Sequence, residues 1–121
     1  MKKNLLIIED EENIARAQEL ILADEFNVSV AKDGAEGLRK AKKLKPDVIV
    51  LDLMMPKMNG IEVCKSIKSD KSLSHTKVVM VTAKNKPEDE LKGMDTGADD
   101  YIMKPFEADE LKHVISQVLK E

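Results

Sequence analysis

Residues 49–60, IVLDLMMPKMNG, join an apolar run to a charged residue and then to a loop. The first three positions, 49–51, are typical of a strand that is covered on both faces of a sheet. Asp52 follows directly, and Pro56 and Gly60 indicate that the chain turns there instead of continuing the strand. The stretch therefore predicts a buried parallel strand that ends on a carboxylate beside a loop.

Apolar runs alternate with helical patterns along the chain. Five short runs are mostly apolar, and the best of them lack polar alternation, as expected for strands inside a covered sheet. Between them, apolar residues recur every three or four positions, as on the buried face of a helix. This repeated pattern predicts one doubly wound α/β domain with a parallel sheet and helices on both faces. The five apolar runs are Leu5–Ile8, Val28–Ala31, Val48–Leu51, Val78–Val81 and Tyr101–Met103. The apolar positions of the five predicted helices are, in chain order, Ile14, Ala17, Ile21 and Leu22; Ala35, Leu38, Ala41 and Leu44; Ile61, Cys64 and Ile67; Leu91 and Met94; and Leu111, Val114, Ile115 and Val118.

The composition fits a single domain with a strongly charged surface. The chain has 121 residues, of which 42% are apolar and 36% are charged, enough for one ordinary core. Its 20 basic and 23 acidic residues are interleaved and leave a net charge of −3. Because no one-sided positive field results, we expect no direct binding of nucleic acid.

Cysteine usage and the N-terminus indicate the compartment. Cys64 is the only cysteine, which excludes an internal disulfide and favours a reducing environment. The apolar run Leu5–Ile8 is too short for a signal peptide or a membrane span. We therefore expect a cytoplasmic protein without membrane contact.

Polar residues follow four of the five predicted strands. They are Glu9 and Asp10 after the first strand, Asp52 after the third, Thr82 after the fourth and Lys104 after the fifth. The carboxyl ends of parallel strands share one edge of the sheet, so these side chains should meet in one crevice. Carboxylates within about 4 Å of each other repel by several kcal/mol unless a proton, a basic group or a metal compensates.

Mg²⁺ and a phosphoryl group fit this set of side chains. Mg²⁺ takes hard oxygen ligands, typically one or two carboxylates together with waters and phosphate oxygens. Lys104 supplies a positive charge and Thr82 a hydroxyl for phosphoryl oxygens. The alternative is that each acid has an ordinary local role, since Asp10 or Glu11 would also serve as the N-cap of the first helix.

Four segments together resemble the receiver domain of two-component response regulators, in particular chemotaxis regulators. They are LLIIEDEE (5–12), IVLDLMMPKMNG (49–60), VVMVTA (78–83) and GADDYIMKPF (97–106). The resemblance extends over residues 1–121 and implies a flavodoxin-like (βα)5 domain with strand order 2-1-3-4-5. It implies no output domain within this chain.

The resemblance implies a phosphoacceptor site that depends on Mg²⁺, with Mn²⁺ as an alternative ion. Asp52 would attack the phosphoryl group of a phosphohistidine on a sensor histidine kinase or phosphotransfer protein, or that of a small acyl phosphate. Asp10, Asp52 and the backbone carbonyl of Met54 would bind the metal, and Glu9 would do so directly or through water. The domain would be a signalling module and not an enzyme, catalysing only its own phosphorylation and dephosphorylation.

The resemblance also implies a switch. Lys104 would pair with the phosphoryl oxygens, and its peptide bond to Pro105 would be cis. The hydroxyl of Thr82 would move to a phosphoryl oxygen while the ring of Tyr101 swings inward. The surface that changes would comprise the fourth helix, the fifth strand and the fifth helix, where a downstream effector, an output domain or a second phosphorylated copy would bind.

Three other functions compete with this interpretation. A phosphatase with an aspartyl-phosphate intermediate usually has a second aspartate two residues after the nucleophile, where this chain has Met54. A flavin-binding flavodoxin needs a loop rich in Ser, Thr and Gly after the first strand, where residues 9–12 are EDEE. A pseudo-receiver would keep the fold only as a protein-binding surface, independently of phosphorylation.

Overall fold

The computed structural model describes residues 2–53, 55, 59–83 and 97–120. Five strands and four helices alternate over these ranges, with one short 3-10 helix at Lys71–Leu73. The strands are β1 (Lys3–Ile8), β2 (Phe26–Ala31), β3 (Val48–Asp52), β4 (Lys77–Ala83) and β5 (Asp100–Lys104). The helices are α1 (Glu12–Leu22), α2 (Gly34–Leu44), α3 (Gly60–Ser69) and the C-terminal helix (Ala108–Leu119), which corresponds to the predicted fifth helix.

The five strands form one parallel sheet in the order β2-β1-β3-β4-β5. This confirms the predicted fold class and strand order. The strand order reverses between β1 and β3, so a crevice opens at their carboxyl ends, as is usual in doubly wound sheets. The predicted fourth helix, around Leu91 and Met94, lies outside the described residues.

Alternating side chains of the central strands build two core layers, one on each face of the sheet. On one face, β1, β3 and β4 pack against α1 and the C-terminal helix, with Leu22 and Ile115 fully buried. On the other face they pack against α2 and α3, where Ala41 and Ile67 are fully buried. Burial on both faces explains why the strands read as continuous apolar runs.

The helix faces differ in part from the sequence prediction. Ala17 and Ala35 are exposed, and Leu44 is 41% exposed at the end of α2. The buried positions of α1 include Gln18, and those of α2 include Gly37. Apolar periodicity missed these two positions because one is polar and the other has no side chain.

Cys64 has the core position in a helix that its spacing from Ile61 and Ile67 predicts. Cys64 is fully buried in α3, and burial raises the pKa of its thiol to about 11, so it behaves as a small core residue. His75 and His113 are exposed. Among the described residues, no helix is long and apolar enough to cross a membrane.

Candidate functional site

Sheet register brings the acids of β1 and β3 to the same place. Ile8 of β1 lies beside Leu51 of β3, so the next residues, Glu9 and Asp52, lie side by side at the carboxyl edge of the sheet. Both side chains are almost completely buried, with relative exposures of 2% and 4%. The end of β3 is therefore a carboxylate that the fold places under the surface next to a second one.

Asp10 completes a group of three acids. One carboxylate oxygen from each of Glu9, Asp10 and Asp52 can be chosen so that all three lie within 4.8 Å of one another. Asp10 is more accessible to solvent than the other two. The three acids predicted from separate strand ends are thus assembled in one cluster.

Lys104 is the cation of this cluster. Its Nζ donates to Oδ2 of Asp52 at 3.2 Å and to Oε1 of Glu9 at 3.4 Å. Lys104 is the last residue of β5 and lies beside Ala83 of β4 in the sheet register. Its long side chain spans the width of β4 to contact Asp52 at the end of β3. The peptide bond between Lys104 and Pro105 is cis.

Burial and neighbouring charges change the pKa values of two groups in the cluster. Burial raises the pKa of Glu9 to about 8, and the neighbouring Asp52 adds to this shift. Partial burial alone would lower the pKa of Lys104, but the carboxylates of Asp52 and Glu9 outweigh it and the pKa is raised. The site therefore favours a further cation or proton.

Helix capping does not account for these acids. The N-cap residue of α1 is Glu11, and its side chain makes no capping hydrogen bond. The backbone N–H of Glu11 donates instead to Oε2 of Glu9 at 3.1 Å. Glu9 and Asp10 both belong to the cluster and neither is the N-cap of α1, which favours the functional interpretation over the local one.

Thr82 and Tyr101 line one cavity, which contains none of the clustered acids. The cavity, about 320 Å³, lies between β5 and the C-terminal helix, and both residues line it together with His113 and Val114. The hydroxyl of Thr82 is buried and has no hydrogen-bond partner among the described residues. A buried hydroxyl without a hydrogen bond costs free energy. A native protein that keeps such a group often uses it to bind a ligand, an ion or a water molecule.

The segment that follows Asp52 and Leu53 is described only in part, at residues 55, 59 and 60. Met54, the expected backbone ligand, lies outside the described residues. Asn59 and Gly60 belong to the motif around Asp52, where the sequence indicates a turn at Gly60 and no part in the chemistry for either residue. Asn59 caps α3 by accepting the backbone N–H of Ile61 at 3.0 Å, a cap that its residue type and position signal.

The sequence profile of the response regulator receiver domain matches residues 5–116. The chain belongs to this family. Response regulators ArlR of Staphylococcus haemolyticus and Staphylococcus aureus are each 45% identical, over 97% and 96% of this chain. The chain spans about half the length of these curated relatives, since the matches cover 52% of each.

Solved structures of receiver proteins superpose closely on this chain. A putative response regulator of Chloroflexus aurantiacus aligns over 100% of both chains, with a TM-score of 0.91 and 30% identity. The Vibrio cholerae chemotaxis protein CheY4 aligns over 98% of this chain and 99% of its own, with a TM-score of 0.88 and 31% identity. The chain is thus a two-component signalling domain of the response regulator type.

Proposed function

We propose that this receiver domain accepts a phosphoryl group on Asp52 in a reaction that depends on Mg²⁺. One observation carries the proposal: Lys104 contacts both Asp52 and Glu9, and Asp10 joins them at the carboxyl edge of the sheet. Asp52 is the acid at the centre of this arrangement. As the acid that ends the buried central strand, it is the nucleophile of the proposal.

The residues present fit a divalent metal. Glu9, Asp10 and Asp52 supply only hard carboxylate oxygens, close enough to share one ion, and such donors suit Mg²⁺ and also Mn²⁺. The backbone carbonyl of Met54 would be a further ligand. When bound, the ion would neutralise the acids and polarise the phosphoryl oxygens.

The transfer itself forms one bond and breaks one bond. A carboxylate oxygen of Asp52 attacks phosphorus while the bond from phosphorus to the donor breaks, and the electron pair leaves with the donor. The donor is the imidazole nitrogen of a phosphohistidine on a sensor histidine kinase or phosphotransfer protein, or the carboxylate of an acyl phosphate. Lys104 holds the phosphoryl oxygens as charge shifts onto them, which is how such transfers are accelerated.

Phosphorylation then provides the signal. The new group adds about two negative charges next to Lys104 and Thr82. The hydroxyl of Thr82 is buried without a partner among the described residues, which supports a role as donor to a phosphoryl oxygen, and Tyr101 lines the same cavity. Thr82 and Tyr101 are therefore the switch pair of this proposal.

The signal would be read on the face formed by β5 and the C-terminal helix, together with the predicted fourth helix. A downstream effector, an output domain or a second phosphorylated copy would bind there. Residues 1–121 would then act as the receiver domain, in the cytoplasm, and would catalyse only their own phosphorylation and dephosphorylation. Neither nucleic acid nor membrane is a direct partner of this domain in the proposal.

Intact-mass measurement after incubation with acetyl phosphate tests the proposal. We expect a phosphoryl adduct on the wild-type chain with Mg²⁺ present, and none when a chelator removes the ion. Asp52→Asn should give no adduct, whereas Asp24→Asn, in the exposed turn after α1, should behave as wild type. If the wild type forms no adduct, and beryllofluoride with Mg²⁺ does not bind either, the chain is a pseudo-receiver.

A further inference from the structure

Gly60 lies where the backbone leaves the proposed phosphoacceptor. It is the buried first residue of α3, and a Cβ atom built on it would lie 2.9 Å from Cα of Leu53 and 3.1 Å from the carbonyl oxygen of Asp52. Both are backbone atoms, which cannot rotate away as the end of a side chain can. Any side chain at position 60 would therefore push against the chain that carries the Asp52 carboxylate.

The opposite side of this backbone is also held. The N–H of Leu53 donates to the carbonyl of Val81 in β4 at 2.9 Å, and Asp52 lies beside Val81 in the sheet register. The Asp52–Leu53 peptide is thus confined between β4 and the start of α3. A push from position 60 would therefore act against the hydrogen bond that ties Leu53 to β4.

The start of α3 cannot easily retreat either. The side chain of Asn59 accepts the N–H of Ile61, and its carbonyl accepts the N–H of Glu62 and Val63. Val63 and Cys64 are buried against the sheet in the next turn. Capping and core packing together fix the position of the helix end.

Helix propensity does not explain a glycine here. Glycine is a poorer helix former than alanine. Among the described glycines only Gly97 has a positive φ, so the conformation at position 60 is one that alanine adopts. What position 60 requires is the absence of a Cβ atom.

We infer that Gly60 is a positioning residue for phosphoryl transfer, an inference that rests on the proposed function. By allowing α3 to touch the Asp52–Leu53 backbone, it sets the direction of the Asp52 carboxylate toward Lys104. The contact between Lys104 and Asp52 is 3.2 Å, so a shift of a few tenths of an ångström changes the alignment of nucleophile and cation. Misplacement of reacting groups by about 1 Å can reduce rates about 100-fold.

The test compares Gly60→Ala with Gly37→Ala. Gly37 is also a buried helical glycine, but a Cβ there would meet side-chain atoms of Ile8, the closest at 2.6 Å, and no backbone atom within 4 Å is among its three nearest. We expect Gly60→Ala to lower the maximal rate of phosphorylation by acetyl phosphate about tenfold or more, with the half-saturating concentration little changed. Gly37→Ala should remain within about threefold of wild type, at a similar or greater loss of resistance to urea.

The outcomes separate the inference from the proposed function. Absence of an adduct on the wild-type chain overturns the proposed function. A wild-type adduct combined with an unchanged rate in Gly60→Ala overturns only the positioning role, and so does a loss of rate that follows urea resistance equally in both variants. If Gly60→Ala does not fold, Leu53→Gly decides, because it loosens the same backbone without adding an atom: a rate within about twofold of wild type contradicts the inference.

Discussion

Charged side chains are paired differently at the amino end and at the carboxyl end of the sheet. At the amino end, Lys68 pairs with Asp99 at 2.9 Å, and the same carboxylate oxygen accepts the N–H of Val78 at 2.7 Å. Lys68 also donates to the carbonyl of Thr76, so the donors and acceptors of this group are matched. This group connects α3, β4 and the start of β5.

The carboxyl end differs in both respects. Glu9 and Asp52 share the ammonium group of Lys104, and the buried hydroxyl of Thr82 has no hydrogen-bond partner among the described residues. Burying charges and hydroxyls without full compensation costs stability. The difference indicates that the charged group at the amino end contributes to stability, while the groups at the carboxyl end suit the binding of a cation and a phosphoryl group.

The largest expected effect is a difference in phosphorylation between two variants, each with one aspartate substituted, one at the carboxyl end of the sheet and one at the amino end. Asp52→Asn should abolish the adduct formed with acetyl phosphate, because the nucleophilic oxygen is lost. Asp99→Asn should retain it, because the hydrogen bonds of the Asp99 carboxylate to described residues lie at the amino end of the sheet. Intact mass checks both variants, and an adduct on Asp52→Asn equal to that of wild type would remove the functional side of the comparison.

The two lysines should separate rate from stability. Lys104→Ala should lower the phosphorylation rate about 100-fold or more, since it removes a cation aimed at the developing charge. Lys68→Ala should leave the rate within about threefold and lower the free energy of unfolding by about 1–3 kcal/mol, allowing for the partial exposure of the pair. Stopped-time mass measurements and urea unfolding test this, and equal losses of rate in both variants would contradict it.

The pH dependence of stability should report Glu9 in the metal-free protein. Burial raises the pKa of Glu9 from 4.5 to about 8, so within this window the folded protein keeps a proton that the unfolded chain releases. Stability therefore falls as pH rises from 4.5 to 8. Glu9→Gln should match wild type below this window and exceed it by about 1–3 kcal/mol above it.

Urea unfolding at several pH values, with a chelator present, measures this difference. Glu62→Gln, at an exposed position of α3, is the matched control and should show no such window. A constant difference between Glu9→Gln and wild type at all pH values would show that Glu9 does not carry the uncompensated charge.

The smallest effect compares two buried threonines at the two ends of β4. Thr76 donates its hydroxyl to the carbonyl of Pro46 at 2.7 Å, whereas that of Thr82 has no partner among the described residues. Thr76→Val should lower the free energy of unfolding by about 1 kcal/mol, and Thr82→Val should raise it by a similar amount. Equal destabilisation by both substitutions would mean that the hydroxyl of Thr82 is satisfied in solution.

Much of the fold and site follows from local sequence patterns. Continuous apolar runs indicate covered strands, and the residue after each run marks the carboxyl edge of the sheet. Glu9, Asp52 and Lys104 could therefore be brought together from sequence, although they come from three different strands. The order of strands and the roles of the acids depended on the resemblance to receiver domains.

Other features have no local signal. Lys68 and Asp99 are 31 residues apart, and nothing in either segment shows that they meet. Gly60 stands in a motif that reads as a turn, but its contact with the Asp52–Leu53 backbone depends on where α3 packs. Gln18 occupies a core position that a pattern based on apolar residues assigns to a neighbour. Each depends on tertiary packing, which periodicity along the chain does not encode.

Reductive trapping is the most direct test of phosphoryl transfer to Asp52. Borohydride reduces an aspartyl phosphate to homoserine, so peptide mapping after incubation with acetyl phosphate and Mg²⁺ identifies the acceptor residue. The carboxyl-edge cluster predicts homoserine at position 52 and at no other aspartate. Homoserine at position 10, or a phosphoryl adduct on the intact chain that leaves Asp52 unmodified, would contradict the assignment of Asp52 as the phosphoacceptor.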